Sequence, residues 1–151
     1  MKQGNLKKQR GFSLLEVLIS MVILALLASL LGPKFFDRKS KAKQKKARTQ
    51  IAMLMTAMGV FRRDVGRYPT QQEGLTALVT NPGSGPELDK WDGPYLKKAV
   101  PNDPWGNPYH YRNPGTHGEV DIYTYGLDNQ PSGDKENTDI GSWESFPGRK
   151  P

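Results

Sequence analysis

The chain has 151 residues, no cysteine and a formal net charge of +7. This length leaves room for one modest soluble domain, and the lack of cysteine excludes disulfides and thiol chemistry. The net charge conceals an asymmetry along the chain, because basic residues are concentrated in residues 34–48 and acidic residues in residues 116–146.

The first element is an apolar run from Phe12 to Leu31, in which Glu16 is the only ionisable residue. Twenty helical residues at about 1.5 Å each match a hydrocarbon core of roughly 30 Å, so we predict a membrane-spanning helix over residues 12–33. A basic head without acids precedes it and predicts a cytoplasmic N-terminus and an exported C-terminal part. A secretory signal peptide is the alternative, but the run is long and no small-x-small cleavage pattern follows it.

Two features of this segment stand out: the acid Glu16 inside the apolar run and the Gly32-Pro33 pair just after it. A charged residue inside a membrane span costs roughly 2.5–3.5 kcal/mol on insertion scales and is usually paired or functional, so Glu16 is a candidate site. The alternative is that Glu16 lies close enough to the helix end to reach the interface and the favourable helix dipole. Gly32-Pro33 predicts a kink or a locally melted stretch, or simply the end of the membrane segment.

Residues 34–66 are predicted to form the basic amphipathic half of the same helix. One apolar stripe at spacings of three and four predicts the buried face: Ile51, Leu54, Met55, Met58, Phe61 and Val65. Eight basic residues stand against Asp37 between residues 34 and 48. They indicate either a solvated face near lipid headgroups or a surface that packs on acidic parts of neighbouring subunits. Nucleic acid is not expected as a partner, because this segment lies on the exported side.

Residues 67–151 are predicted to form a small α/β region. Thr70-Gln71-Gln72-Glu73 fits a capping box that begins a second short helix, with Leu75, Leu78 and Val79 on its buried side. Residues 108–112 and 119–125 predict a hairpin with its turn at Asn113-Pro114-Gly115. In the second strand, Val120, Ile122 and Thr124 alternate with Asp121, Tyr123 and Tyr125. The expected fold class is α+β, with a long N-terminal helix packed on a small antiparallel sheet and ordered loops.

Four separated motifs carry a family resemblance that covers nearly the whole chain. The leader KKQRGFSLLEVLI is similar to the processing site of type IV pilin-like proteins. The segments RYPTQQEGLTALV (67–79), DPWGNPYHYRNPGTHGEVDIYTYGLDN (103–129) and TDIGSW (138–143) resemble the major pseudopilins of type II secretion systems. The resemblance implies a pilin-like fold and a filament subunit in the periplasm that helps drive folded proteins through an outer-membrane secretin.

The same resemblance implies how the N-terminus is used. A prepilin peptidase would remove leader residues 1–11 by cleaving between Gly11 and Phe12, and Phe12 would then be N-methylated. Glu16 of one subunit would face the terminal amine of a neighbour, and Pro33 would let the helix extend during assembly. The implied partners are further copies in a homo-oligomeric filament, minor pseudopilins, an inner-membrane assembly platform with its cytoplasmic ATPase, and the secretin. The implied location is the inner membrane, with a single pass and a periplasmic C-terminal domain.

The acidic segment 126–140 is a candidate calcium loop. Oxygen-bearing side chains recur between Asp128 and Asp139, although the match to an EF-hand is poor. The family that this chain resembles binds calcium in its C-terminal loop, which implies Asp128, Asn137 and Asp139 as ligands together with backbone carbonyls. Calcium would also stiffen a small domain that has no disulfide.

Three alternative functions are considered. A type IV pilus or competence pseudopilin shares the leader and Glu16, but such pilins commonly carry a C-terminal cysteine pair that this chain lacks. A signal-anchored periplasmic carbohydrate-binding module would use Trp91, Trp105 and Trp143, but it leaves Glu16 and the Gly11-Phe12 junction unexplained. An enzyme is not expected, because the two histidines of the chain stand beside no nucleophile or metal-ligand pattern.

Overall fold

The computed structural model describes residues 12–83 and 85–144; within it, the side chains of residues 30–36 are not described. Its regular elements are a long helix and a three-stranded sheet. Helix α1 spans Leu14–Val65, and the strands are β1 (His110–Arg112), β2 (Asp121–Thr124) and β3 (Ile140–Gly141). Short 3₁₀ helices lie at Leu75–Leu78, Leu88–Lys90 and Lys135–Asn137. The α+β architecture predicted from the sequence is therefore confirmed.

The chain divides into two compact units between Arg38 and Lys39. In the first unit, the large apolar side chains of the described residues between Phe12 and Leu27 are all exposed, by 42% to 79%. Among the described residues, we find no helix that combines the length and the apolar character required to cross a membrane.

In the second unit, α1 supplies the predicted apolar stripe. Ile51, Leu54, Met58 and Phe61 are fully buried and Val65 nearly so, while Met55 packs partly buried against the same core. The core is completed by residues of the loops and the sheet: Leu75, Ala77, Leu78, Leu88, Leu96, Tyr109, Tyr111, Val120, Ile122 and Ile140. The loops and the sheet therefore cover the apolar stripe together.

Helix α1 ends at Val65, within one residue of the predicted boundary at residue 66. Gly66 has φ +91, and its N–H donates to the Arg62 carbonyl at 2.8 Å, which is the left-handed C-terminal stop that glycine favours. The capping box is also confirmed: Thr70 N donates to Glu73 Oε2 at 2.7 Å, and Glu73 N donates to Thr70 Oγ1 at 3.2 Å. However, these bonds close a turn, and the helix that follows is only the 3₁₀ helix Leu75–Leu78.

The sheet has the order β1-β2-β3, and both pairs are antiparallel. The predicted hairpin is present, with Tyr111 opposite Ile122. It is shorter than predicted, because residues 113–120 form a long connection rather than a tight turn. The third strand was not predicted; it places Ile140 beside Thr124 at the end of the candidate calcium loop.

Candidate functional site

Of the residues predicted for processing and assembly, Phe12 and Glu16 lie at the start of the described chain. Gly11 is outside the described residues, and Phe12 is exposed just before α1 begins. Glu16 occupies the first turn of α1, where a carboxylate interacts favourably with the helix dipole. Its carbonyl oxygen accepts a hydrogen bond from Ser20 Oγ at 2.8 Å. The structure thus places the acid at a helix N-terminus four residues from Phe12, as the sequence requires, and its pairing with a neighbour remains a prediction.

Pro33 lies inside α1, whose helical backbone continues through Gly32 and Pro33. A locally melted stretch is therefore not present in this conformation of the chain. The role of Pro33 in assembly remains a prediction.

Loop 126–140 connects β2 to β3 and closes on itself through its backbone. Leu127 N donates to the Glu136 carbonyl at 2.8 Å, and Asn137 N donates to the Asp134 carbonyl at 2.9 Å. Gly126 has φ +75, and a Cβ there would collide with the backbone of Glu136 and Asn137. A side chain at Gly126 would therefore force the two halves of the loop apart.

The three predicted calcium ligands all belong to this closed loop, in different settings. Asp139 Oδ2 accepts a hydrogen bond from Ser132 N at 2.9 Å, whereas Asp139 Oδ1 is buried without a hydrogen-bond donor among the described residues. Asp128 is exposed, and its Oδ1 accepts from Gln130 N at 3.2 Å. Asn137 is half-buried at the point where Gly126 meets the loop. Asp139 is therefore the residue with an unused, buried acceptor.

Within residues 12–83 and 85–144, no three histidine, cysteine, aspartate or glutamate side chains come close enough together to hold a metal ion. A calcium site here would need amide and backbone carbonyl oxygens beside the carboxylates, which calcium accepts in sets of six to eight. The unpartnered Asp139 Oδ1 and the close backbone approach at Gly126 fit such a site.

The start of loop 126–140 is held by a buried carboxylate that the sequence analysis did not single out. Asp103 is 5% exposed and accepts hydrogen bonds from Asn107 N at 2.8 Å and from Thr124 Oγ1. Thr124 Oγ1 in turn accepts from Gly126 N at 3.1 Å, and Asn107 Nδ2 donates to the Gly126 carbonyl at 2.8 Å. The sequence signal that could have identified Asp103 is the Asp103-Pro104 pair, because aspartate before proline commonly begins a turn.

Part of the basic face of α1 contacts acidic segments of the same chain. Lys43 lies 3.4 Å from Glu136, Arg48 bonds to Glu144 at 2.8 Å, and Arg62 pairs with Glu119. Gln44 Nε2 also donates to the Lys135 carbonyl at 2.6 Å. The sequence analysis interpreted the basic residues as a solvated face near lipid or as a surface for neighbouring subunits. The structure shows a third use: some of them bind acidic loops of the same domain.

A second missed residue, Asp121, organises the connection between β1 and β2. It is 1% exposed, although it alternates along β2 with the buried residues Ile122 and Thr124. Burial raises the pKa of its carboxyl group, and hydrogen bonds from Thr116 and His117 outweigh that effect, so the pKa lies below its ordinary value. The connection folds over Asp121 and supplies these donors, which is why the alternation of the strand did not reveal its burial.

Each of the three tryptophans contacts other residues of the domain. Trp143 is 40% exposed; it stacks on His117 with ring centroids 3.9 Å apart, and its ring also lies beside Gly141. Trp91 packs against Gly93 and donates from Nε1 to the Ala77 carbonyl at 2.9 Å. Lys43 Nζ lies 5.9 Å from the centre of the Trp105 ring. These rings hold loops in place.

The two histidines also have structural partners. His110 Nε2 lies 2.9 Å from Asn129 Oδ1, and its ring stacks on Tyr123. His117 Nδ1 lies 3.2 Å from Asp121 Oδ2. His110 of β1 therefore contacts Asn129 of loop 126–140 and Tyr123 of β2, and His117 of the β1–β2 connection contacts Asp121 of β2.

Comparison with known proteins assigns the two parts of the chain separately. Residues 34–143 match the family model described as type II secretion system (T2SS), protein G. Residues 6–32 match the model described as the prokaryotic N-terminal methylation motif.

Individual relatives match over almost their whole length. The type II secretion system core protein G of Vibrio cholerae serotype O1 is 44% identical over 138 residues, which cover 91% of this chain and 94% of that protein. The protein of the same name from Pseudomonas aeruginosa is 41% identical over 141 residues, covering 92% and 98%. The crystal structure of the major pseudopilin from the type 2 secretion system of enterohaemorrhagic Escherichia coli superposes with a TM-score of 0.59 at 37% identity, covering 70% of this chain and 90% of that one. This chain therefore belongs to the type II secretion system protein G family.

Proposed function

We propose that this protein is the major structural subunit of the type II secretion pseudopilus, a periplasmic filament that helps drive folded proteins through the outer-membrane secretin. The observation that carries the proposal is the match of 44% identity over 91% of the chain to a core protein G. The structural match to a major pseudopilin supports the same role. No observation favours a type IV pilus or competence subunit over this assignment.

The N-terminal segment is proposed to anchor the subunit before assembly. Cleavage by a prepilin peptidase between Gly11 and Phe12, followed by N-methylation of Phe12, is supported by the methylation motif over residues 6–32. The inner membrane is the proposed location, with one pass and the C-terminal domain in the periplasm. The support is the apolar run from Phe12 to Leu31 with its basic head, together with the exposure of its large apolar side chains.

Glu16 is proposed to pair with the terminal amine of Phe12 in a neighbouring subunit. The two groups have opposite charge and lie near the same end of the apolar segment. Pairing would neutralise both where water is scarce, and an isolated charge there is costly. Pro33 is proposed to allow a local change of the helix during assembly, since proline removes one helical hydrogen bond.

Loop 126–140 is proposed to bind calcium. Asp139 would be the main ligand because its Oδ1 is buried without a donor, with Asp128, Asn137 and backbone carbonyls completing the site. Bound calcium would cross-link oxygens from the two ends of the loop and so stabilise the folded domain. The chain's own contribution is to close the loop at Gly126 and to fix its start through Asp103 and Thr124.

The remaining partners follow from a filament role. They are minor pseudopilins, the inner-membrane assembly platform with its cytoplasmic ATPase, and the secretin; no catalytic activity and no nucleic-acid partner are proposed. The test is deletion of the gene in its native host, followed by assay of culture supernatants for type II substrates. We expect these substrates to accumulate in the periplasm and the intact gene to restore export. Normal export after deletion, with loss of surface pili or of DNA uptake, would instead identify the alternative pilin role.

A further inference from the structure

Helix α1 holds one specific turn of the candidate calcium loop. Gln44 Nε2 donates to the carbonyl oxygen of Lys135 at 2.6 Å, although the two residues are 91 positions apart in the chain. Lys43 Nζ lies 3.4 Å from Oε1 of Glu136, the next residue. Both contacts therefore fall on the 3₁₀ helix Lys135–Asn137. That helix carries Asn137, one of the proposed ligands.

The same turn joins the two halves of the loop. The carbonyl oxygen of Glu136 accepts the hydrogen bond from Leu127 N at 2.8 Å, at the beginning of the loop. Gly126 has no room for a Cβ beside Glu136 and Asn137. Any movement of this turn away from α1 would therefore also change how the beginning of the loop meets its end.

Lys135 shows why the turn depends on outside support. Its φ is +53, a left-handed conformation that residues with a Cβ seldom adopt, and Ser132 in the same loop has φ +70. Such conformations persist where surrounding contacts hold them. The bond from Gln44 is made to the carbonyl of Lys135 itself.

The side chain of Lys43 contacts two neighbours, Trp105 and Glu136. Its ammonium group lies near the ring of Trp105 as well as beside Glu136. The Lys43 and Glu136 side chains are 27% and 31% exposed, so the pair is partly shielded from solvent. An ion pair of this kind is weak alone. Here it acts on the same turn as the Gln44 hydrogen bond.

Given the proposed calcium site, on which this inference rests, we infer that Lys43 and Gln44 are positioning residues for calcium binding. They hold the turn 135–137 in the conformation that brings Asn137 and the loop carbonyls to the ion. Because coupling between two events is reciprocal, a loop filled with calcium must hold the Lys43–Gln44 segment of α1 more firmly. Calcium binding would thus reduce local opening of α1 around Lys43 and Gln44, in the helix proposed to build the filament.

The test compares calcium binding and amide hydrogen exchange in the full chain, purified in detergent micelles. The variants are the double substitution Lys43→Gln with Gln44→Ala, and the conservative Lys43→Arg. Lys46→Gln is the matched control, because Lys46 is exposed on the same helix and forms no ion pair among the described residues. Calcium chloride is titrated calorimetrically, with magnesium chloride as the ion control.

We expect the double variant to bind calcium about five-fold more weakly, the lower end of typical coupling between sites. Lys43→Arg and Lys46→Gln should bind as the parent does. In the parent, calcium should slow amide exchange both in loop 126–140 and in α1 around Lys43. The double variant should lose the effect in the helix at saturating calcium.

Two outcomes overturn the inference, and they differ in what else they overturn. If the double variant binds calcium with parent affinity and still transmits protection to α1, the positioning role is wrong and the calcium site stands. If the parent shows no saturable calcium binding, the calcium proposal fails together with the coupling. Neither result bears on the filament role, which the secretion assay tests separately. Thermal unfolding in chelator establishes that each variant is folded before titration.

Discussion

Thr116 donates two hydrogen bonds to the same oxygen of Asp121: its N–H lies 2.7 Å from Oδ2 and its Oγ1 lies 3.0 Å from it. His117 adds a backbone bond to this oxygen at 3.1 Å. A buried carboxylate that collects several donors is expensive to disturb, because each donor would be left without a partner. The connection between β1 and β2 is therefore built around Asp121.

Asp121→Asn should lower the free energy of unfolding by about 1–3 kcal/mol, the cost of leaving buried groups unsatisfied. The measurement is urea unfolding of the full chain in micelles, followed by tryptophan fluorescence. Asp89→Asn is the control, since Asp89 is exposed and forms no ion pair among the described residues. If the two variants prove equally stable, Asp121 does not organise this connection.

Acid sensitivity follows from two carboxylates whose pKa values are lowered. Hydrogen bonds from Arg67 are the main cause for Glu73, and the donors from Thr116 and His117 outweigh burial for Asp121. Between its folded and unfolded pKa values, each group binds more protons in the unfolded chain, so stability rises with pH there. Their contribution is complete above about pH 5 and is lost as pH falls through the lowered folded pKa values.

We therefore expect the parent to lose stability steeply between about pH 5 and pH 3, and the double variant Glu73→Gln with Asp121→Asn to lose less over the same interval. The measurement is the urea midpoint as a function of pH. Parallel pH profiles for parent and variant would contradict this assignment. The quantity to compare is the slope of the urea midpoint against pH, because the double variant is expected to be less stable than the parent at every pH.

Replacing glycine by alanine should change the free energy of unfolding in opposite directions at Gly141 and Gly59. At Gly141 a Cβ would enter the Trp143 ring, so we expect a loss of about 1–3 kcal/mol from overpacking. At Gly59, inside α1, nothing lies within 4 Å of the new Cβ, so we expect a gain of about 0.5–1 kcal/mol from helix propensity. Urea unfolding measures both, and a neutral Gly141→Ala would show that Trp143 is not packed on β3.

Sequence patterns predicted the parts of the fold that depend on neighbours in the chain. The stripe from Ile51 to Val65 and the reciprocal bonds of Thr70 and Glu73 need only local spacing, and both are confirmed. Strand β3 has two residues and therefore no readable period; it exists because Ile140 pairs with Thr124.

The candidate site shows the same limit. The sequence and its resemblance pointed to loop 126–140, but the supports of that loop come from distant positions. Asp103 reaches it through Thr124, and Gln44 reaches it from α1. These two contacts join residues 21 and 91 positions apart in the chain. Periodicity within one segment carries no information about them.

Calcium should stabilise the full chain in micelles. At a concentration about 100 times Kd, binding to the folded state alone contributes about 2.7 kcal/mol, which raises Tm by roughly 10 °C. Asp139→Asn should remove most of this rise, because Asp139 supplies the buried unpartnered oxygen. Asp134→Asn is the control, with the same charge change at an exposed position of the loop. A Tm indifferent to chelator in the parent would remove the calcium proposal.

Glu16→Ala tests whether the acid in the first turn of α1 serves assembly or only the membrane interface. If Glu16 pairs with the Phe12 amine of a neighbour, the variant should still be inserted, cleaved and methylated, but it should form few filaments and fail to support export. N-terminal mass spectrometry of the membrane form measures processing, and sedimentation of sheared filaments measures assembly. Ser20→Ala is the control, because it removes only a hydrogen bond to the Glu16 carbonyl. Normal filaments from Glu16→Ala would mean that the carboxylate has only a local role at the helix end, where the dipole favours it by about 0.3–1 kcal/mol.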